Sequence, residues 1–219
     1  TTLFHEFGHT LHHILTAQTE PQVSGINGVE WDAVELPSQF LENFAWEHEI
    51  VKSISTHVET GEELPDELFD KMIAAKNYEA GAFCVRQVEF ALFDMLLHSA
   101  FNPKTDSVQA LLESVRREVA VVFPPAWNRF PQSFSHIFAG GYGAGYYSYK
   151  WAEVLSADCF SAFEEEGVLN PDTGRRYLKE ILERGSSRDA IDNFVAFRGR
   201  KPELDPLLRL SGIIESQKH

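Results

Sequence analysis

The chain has 219 residues, and its 19 basic and 33 acidic side chains give it a formal charge of −14. This acidity argues against nucleic acid as a partner, because phosphate binding needs a basic surface, and it disfavours an anionic membrane for the same reason. An aromatic content of 12% excludes a disordered chain. The sequence contains no apolar run of about 18 residues, so it predicts no transmembrane helix. The chain starts at Thr1 without a methionine, so we expect it to be a piece of a longer protein.

Apolar residues recur with helical spacing along almost the whole chain, and strand signals are scarce, which predicts an all-α or nearly all-α fold. A turn-rich loop is expected over residues 22–33, and a Gly/Tyr-rich segment over 139–149. The predicted helices cover residues 3–15, 34–52, a stretch starting near 65, 77–99, 106–121, a stretch ending near 166, 171–184, 187–196 and 203–211. The two cysteines, Cys84 and Cys159, lack C-x-x-C spacing, which favours a reducing compartment.

The strongest chemical signal is the segment His5-Glu6-Phe7-Gly8-His9. Two histidines four residues apart lie on one face of a helix, where their imidazoles can bind one Zn²⁺. The glutamate next to the first histidine can reach a metal-bound water and take its proton. The apolar residues of this helix fall on the opposite face, so the segment predicts a zinc hydrolase.

A catalytic zinc ion needs a third protein ligand and one open position. His12 and His13 follow the motif, but not at the offset of a third histidine ligand, so we expect a carboxylate from farther along the chain. By spacing alone Glu30 competes with Glu35, although Glu35 opens a helix whose face continues through Gln39 and Glu42. One residue of that face could bind zinc while another orients a ligand histidine through a hydrogen bond. The acidic candidates are Glu20, Glu30, Asp32, Glu35 and Glu42.

Two blocks of sequence carry a family resemblance. The motif of residues 5–9 followed by Val34–Asn43 (VELPSQFLEN), together with His136–Tyr149 (HIFAGGYGAGYYSY), resembles the thimet oligopeptidase and oligopeptidase A family of zinc metallopeptidases. The likeness runs along essentially all 219 residues, and the bacterial oligopeptidase A branch looks closest. Chains of this family are much longer, so residues 1–219 resemble only the C-terminal part of the catalytic domain. The resemblance implies a multi-helix zincin-type domain that forms one portion of a channel-containing peptidase.

The resemblance also implies roles for individual residues. His5, His9 and Glu35 would bind one Zn²⁺ per chain, and Glu6 would act as the general base. His136, Tyr142 and Tyr149 would stabilise the tetrahedral intermediate, since their N–H and O–H groups can donate to an oxyanion. Tyr146 would contact substrate. Independently of the resemblance, Gly140 and Gly141 would let the backbone approach an extended peptide, and Gln39 and Glu42, on the predicted helix face of Glu35, would orient the zinc ligands.

These observations predict a zinc-dependent endopeptidase that hydrolyses short unfolded oligopeptides. One alternative is a peptidyl-dipeptidase of the same family. Another is a fragment that is inactive without the N-terminal portion of the family's chain. We expect a cytoplasmic monomer in which that portion packs against these residues, with short peptides as partners and neither nucleic acid nor membrane.

Overall fold

The computed structural model describes residues 1–214, and the predicted all-α fold class is confirmed for that part of the chain. Residues 215–219 of the predicted domain lie outside the described residues. Thr56 and Glu63 form the only β bridge in residues 1–214. None of the helices in this range has the length and apolarity needed to cross a membrane. The α-helices are α1 (Thr2–Ile14), α2 (Leu36–Phe44), α3 (His48–Ile54), α4 (Asp66–Lys76), α5 (Ala80–Ser99), α6 (Val108–Val119), α7 (Phe130–Ser133), α8 (Ser135–Phe138), α9 (Ser148–Glu166), α10 (Pro171–Glu180), α11 (Ala190–Arg198) and α12 (Asp205–Leu210).

The chain divides into two compact units. The first unit comprises Thr1–Tyr78 and the chain from Ala152 onward, and the second unit comprises Glu79–Trp151. The metal-binding motif therefore belongs to the first unit, whereas the Gly/Tyr-rich segment belongs to the second.

Aromatic side chains form the core of the first unit. The rings of Phe40 and Tyr177 stack with their centroids 4.0 Å apart, and Phe163 lies 5.1 Å from Phe40. Full burial of such a side chain contributes about 1.5–3 kcal/mol. This cluster packs α2 against α9 and α10, and it therefore fixes the helix that follows Glu35.

Helix α1 approaches the start of α2 very closely at Gly8. A Cβ placed on Gly8 would lie only 2.5 Å from the carbonyl oxygen of Pro37 and 2.5 Å from the Cα of Ser38. Glycine is the one residue whose missing side chain permits this approach. The two elements that carry the histidines and Glu35 are thereby brought together.

A buried ion-pair cluster ties the end of the first unit to α9. Asp158 is fully buried and accepts two hydrogen bonds from the Arg200 guanidinium, at 2.6 and 2.7 Å, and one from Arg198 Nε at 3.1 Å. The backbone N–H of Glu203 donates to the same carboxylate at 2.8 Å. These arginines are therefore engaged in holding the fold.

The prediction of one helix over residues 34–52 is wrong, because the structure has two helices there, α2 and α3, separated at residues 45–47. The side-chain amide of Asn43 donates to the carbonyls of Gln39 and Phe40, at 3.2 and 3.1 Å. An asparagine that competes in this way for helical carbonyl oxygens favours helix ends over helix interiors. Glu47 then adopts an extended conformation (φ −84°, ψ 127°), which separates α3 from α2.

The second unit is built on α5 and α6. Phe93 and Leu112 are completely buried between these helices, and Phe90, Phe130 and Phe134 extend the cluster. The buried carboxylate of Glu89 accepts a hydrogen bond from Arg86 at 2.6 Å and one from Arg116 at 2.9 Å. The short helices α7 and α8, absent from the predicted elements, precede the Gly/Tyr-rich segment.

Candidate metal centre

Three ligand atoms converge where α1 meets the start of α2. His5 and His9 are one turn apart on α1, and their Nε2 atoms lie 3.3 and 3.2 Å from the same Oε2 atom of Glu35. Within residues 1–214, these three side chains are the one group of at least three His, Cys, Asp or Glu residues whose ligand atoms approach closely enough to share a metal ion. The structure thus brings Glu35, and not Glu30, to the histidines.

The separations of these atoms fit a tetrahedral Zn²⁺ site. Ligand atoms about 2.0–2.1 Å from a tetrahedral ion are about 3.3 Å from one another. The two N–O separations in the structure, 3.3 and 3.2 Å, match that value. Two imidazoles and one carboxylate also form the protein donor set of one class of catalytic zinc sites, which leave the fourth position open.

Neighbouring side chains hold two of these ligands in place. Glu35 is buried, and the Ser38 hydroxyl donates to its Oε2 at 2.9 Å and to its backbone carbonyl at 3.0 Å. On the other side, Nδ1 of His5 lies 2.7 Å from Oε1 of Glu42. In the neutral tautomer that carries its proton on Nδ1, His5 donates that proton to Glu42 and directs the lone pair of Nε2 towards Glu35. This is the tautomer that can bind a metal ion through Nε2.

The electrostatics of this group favour a positive charge. Hydrogen bonds to Glu35, the larger contribution, and to Glu42 raise the pKa of His5 to about 10, although partial burial acts in the opposite direction. The imidazole is therefore protonated at neutral pH in the metal-free chain. A cation bound here would take the place of that proton, since a coordinating histidine has to be neutral.

The other predicted residues of this unit are placed differently. The Glu6 residue is exposed on α1, adjacent to His5 in sequence. Gln39 begins the next turn of α2, and its backbone N–H donates to the Glu35 carbonyl at 3.0 Å. Glu30, the competing ligand, accepts a hydrogen bond from the Ala190 N–H at 2.8 Å, at the first residue of α11. Its carboxylate is thus used to satisfy a helix N-terminus.

The predicted oxyanion donors are gathered within the second unit. Tyr142 and Tyr149 stack with ring centroids 4.8 Å apart, and the His136 ring lies 6.1 Å from Tyr149. Tyr146 is 9% exposed and donates its hydroxyl proton to Gln87 Oε1 at 2.9 Å. The two glycines predicted to contact substrate, Gly140 and Gly141, are exposed, and the second has φ +84°.

Sequence analysis missed two residues that shape the metal centre. One is Gly8, where a glycine inside an amphipathic helix is a signal for close packing. The other is Ser38, which lies within the motif of residues 34–43. Its position three residues after Glu35 near a helix start is the spacing at which a side chain can reach back to the preceding turn.

Comparison with known proteins places the chain in a family. The model of peptidase family M3 matches residues 1–213. The chain belongs to peptidase family M3. It is 59% identical over 213 residues to oligopeptidase A of Escherichia coli, a match that covers 97% of this chain and 31% of the relative.

More distant relatives carry other peptidase names. Dipeptidyl carboxypeptidase of Salmonella typhimurium is 36% identical over 216 residues, and saccharolysin of Saccharomyces cerevisiae is 34% identical over 213 residues. Each match covers 97% of this chain and about a third of the relative (31% and 30%). The resemblance based on the two sequence blocks is therefore confirmed at the level of the family, and this chain spans about a third of its relatives' length.

Proposed function

We propose that this M3 chain carries the zinc-binding part of an endopeptidase that hydrolyses short, unfolded peptides. The observation that supports this most directly is the position of the His5 and His9 Nε2 atoms, which lie 3.3 and 3.2 Å from the same carboxylate oxygen of Glu35. His5, His9 and Glu35 would hold one Zn²⁺. When bound, this ion supplies a Lewis acid that polarises the scissile carbonyl and lowers the pKa of a water molecule.

The side chains around that ion would then have distinct tasks. The exposed carboxylate of Glu6 accepts a proton from the attacking water and passes it to the leaving amine. Glu42 keeps the proton of His5 on Nδ1, and Ser38 holds the Glu35 carboxylate. Because neither support touches the reacting atoms, we expect them to affect metal affinity more than the proton transfer itself.

The tyrosines would act on the charge that develops on the carbonyl oxygen. His136, Tyr142 and Tyr149 each offer a donor, and the loss of one such donor typically lowers kcat by about 10²–10³-fold. Their mutual packing within the second unit supports a common task. Exposed backbone at Gly140 and Gly141 would allow an extended peptide to approach closely.

We also infer the surroundings in which this chain works. A formal charge of −14 favours peptides over nucleic acid or anionic membranes as partners. The two cysteines are free, and Cys159 is fully buried, which suits a reducing cytoplasm. We expect a monomer. The relatives are longer than this chain, and we expect an N-terminal portion equivalent to theirs to pack against residues 1–219.

The test is zinc-dependent cleavage of a quenched fluorescent peptide. It uses both the 219-residue chain and the longer polypeptide of which we expect this chain to be part. Glu6→Gln should abolish cleavage while leaving the zinc content at one ion per chain. Glu59→Gln, which changes an exposed glutamate far along the chain, is the matched control and should leave both unchanged. Full activity of Glu6→Gln would remove Glu6 from the mechanism.

Two further outcomes separate the alternatives. If the longer polypeptide cleaves the peptide and the 219-residue chain does not, the result would support the alternative in which this chain is inactive without the N-terminal portion. The products from a peptide that is blocked at its N-terminus and free at its C-terminus identify the type of peptidase. Internal cleavage is expected, since the chain is 59% identical to oligopeptidase A and 36% identical to dipeptidyl carboxypeptidase. Release of C-terminal dipeptides alone would establish the second type.

A further inference from the structure

The second unit contains a buried carboxylate that the proposed chemistry does not use. Asp94, on α5, has a side chain that is 1% exposed. Its Oδ1 accepts the backbone N–H of Ala144 and its Oδ2 accepts the backbone N–H of Tyr146, both at 2.9 Å. The His98 imidazole lies one turn farther along α5, with Nδ1 2.8 Å from Oδ1. The carboxylate is thus satisfied by a segment 50 residues away in sequence.

The backbone that Asp94 binds has an unfavourable conformation. Ala144 has φ +58°, in the left-handed region that residues with a Cβ rarely adopt. Such a conformation persists only where surrounding contacts determine it. The two hydrogen bonds to Asp94 involve Ala144 itself and Tyr146, so they flank Gly145 and fix the segment at this turn.

A second contact from the same helix fixes the other end of Tyr146. Gln87 lies seven residues before Asp94, which places both side chains on one face of α5. Its Oε1 accepts the Tyr146 hydroxyl at 2.9 Å, while Asp94 accepts the Tyr146 backbone N–H. Tyr146 is therefore held through both its backbone and its hydroxyl by a single rigid element.

The candidate oxyanion donors pack around this immobilised ring. The centroid of Tyr146 lies 5.3 Å from that of Tyr149 and 5.8 Å from that of His136, and Tyr142 stacks on Tyr149. We propose that Asp94, assisted by Gln87, is a positioning residue that uses Tyr146 to set the geometry of His136, Tyr142 and Tyr149. This inference rests on the proposed function for the catalytic use of those donors, but the anchoring itself does not depend on it.

The first experiment measures the anchoring by hydrogen–deuterium exchange of peptides covering residues 139–147 in the 219-residue chain. Asp94→Asn has the same shape, but its amide can accept only one of the two N–H bonds and turns an NH₂ group towards the other. We expect exchange at this segment to increase about tenfold or more. Glu89→Gln is the matched control, because Glu89 is equally buried on the same helix but is bound by Arg86 and Arg116. Unchanged exchange in Asp94→Asn would overturn the anchoring.

The second experiment measures catalysis with the quenched peptide, in whichever form of the protein is active. Displacement of the donors should lower kcat of Asp94→Asn by about 10²-fold, with KM changed by only a few fold. Glu89→Gln should keep the wild-type kcat. Should Asp94→Asn fail to fold, Gln87→Leu removes only the hydroxyl acceptor of Tyr146, and it should also reduce kcat more than KM.

The outcomes separate this inference from the proposed function. Wild-type cleavage together with normal kcat in Asp94→Asn and Gln87→Leu refutes the positioning role and leaves the proposed function intact. A wild-type protein that binds no zinc and cleaves nothing refutes the proposed function. In that case the exchange experiment alone decides whether Asp94 anchors the segment.

Discussion

Replacing Gly8 by alanine should weaken both folding and metal binding, because the added methyl group meets backbone on the neighbouring helix. Its Cβ would lie 2.5 Å from the Pro37 carbonyl oxygen and 2.5 Å from the Ser38 Cα. No change of rotamer relieves a contact with backbone atoms. Helices α1 and α2 would have to separate by about 1 Å to restore an ordinary contact of about 3.5 Å.

Two opposing effects determine the size of the change in stability. Alanine is a better helix former than glycine by about 1 kcal/mol, whereas overpacking a tight contact costs about 1–3 kcal/mol. We expect a net loss of up to about 2 kcal/mol in the free energy of unfolding. Because the same separation moves Glu35 away from His5 and His9, zinc affinity should fall about 10–100-fold, the range found when support of a metal ligand is lost.

The matched control is Gly174→Ala in α10, where no heavy atom lies within 4 Å of the added Cβ. This variant should gain up to about 1 kcal/mol and keep the wild-type zinc affinity. Urea unfolding of the metal-free chain measures the stabilities, and competition with a chelator measures the affinities. If Gly8→Ala equals Gly174→Ala in both measurements, the close approach of α1 and α2 does not constrain position 8.

Three further predictions test other parts of the first unit. Glu42→Ala removes the partner of His5 Nδ1 at 2.7 Å and should reduce zinc affinity by about 10–100-fold, with a smaller effect for Glu42→Gln; chelator competition that finds no change would contradict it. Burial lowers the pKa of His12 from 6.5 to about 4, so the unfolded chain binds a proton that the folded chain does not. The stability that neutral His12 contributes above pH 6.5 should therefore be lost on acidification, by about 2 kcal/mol between pH 7 and 5. Because the raised pKa of His5 gives a change of opposite sign over the same range, the test is the difference between wild type and His12→Gln in urea unfolding, and a difference that does not vary with pH would contradict the prediction. Asp158→Ala leaves two arginines without their buried partner and should cost about 3–5 kcal/mol in urea unfolding; a cost below about 1 kcal/mol would show that the cluster does not hold the fold.

The sequence was sufficient to predict the features that depend on local periodicity. Helical spacing predicted the fold class and placed both imidazoles on one face of α1, since residues four apart are always neighbours there. The prediction of one helix over 34–52 is wrong because apolar periodicity carries no information about a side chain that competes for backbone hydrogen bonds. Here the Asn43 amide donates to carbonyls of the preceding turn. Apolar patterning continued past the residue at which the backbone helix ends.

Tertiary contacts decided what spacing left open. Glu30 and Glu35 were both compatible with a third ligand, and the contact that occupies Glu30 comes from Ala190, 160 residues later. Asp94 likewise looks like one acid in an apolar helix until the segment that covers it is known. Such partners have no signature near the residue itself, so only the folded chain, or a family resemblance, identifies them.

Gly8 illustrates most clearly how a local rule and a tertiary constraint can point in opposite directions. Helix propensity alone predicts that alanine stabilises α1, because glycine in a helix costs about 1 kcal/mol. The Pro37 carbonyl at 2.5 Å from the added methyl group predicts the reverse. A glycine that weakens its own helix is understandable if the resulting closeness of α1 and α2 is what brings Glu35 Oε2 within 3.3 Å of both imidazoles. The sign of the stability change in Gly8→Ala, compared with Gly174→Ala, therefore reports whether the metal centre or the helix determines the residue at this position.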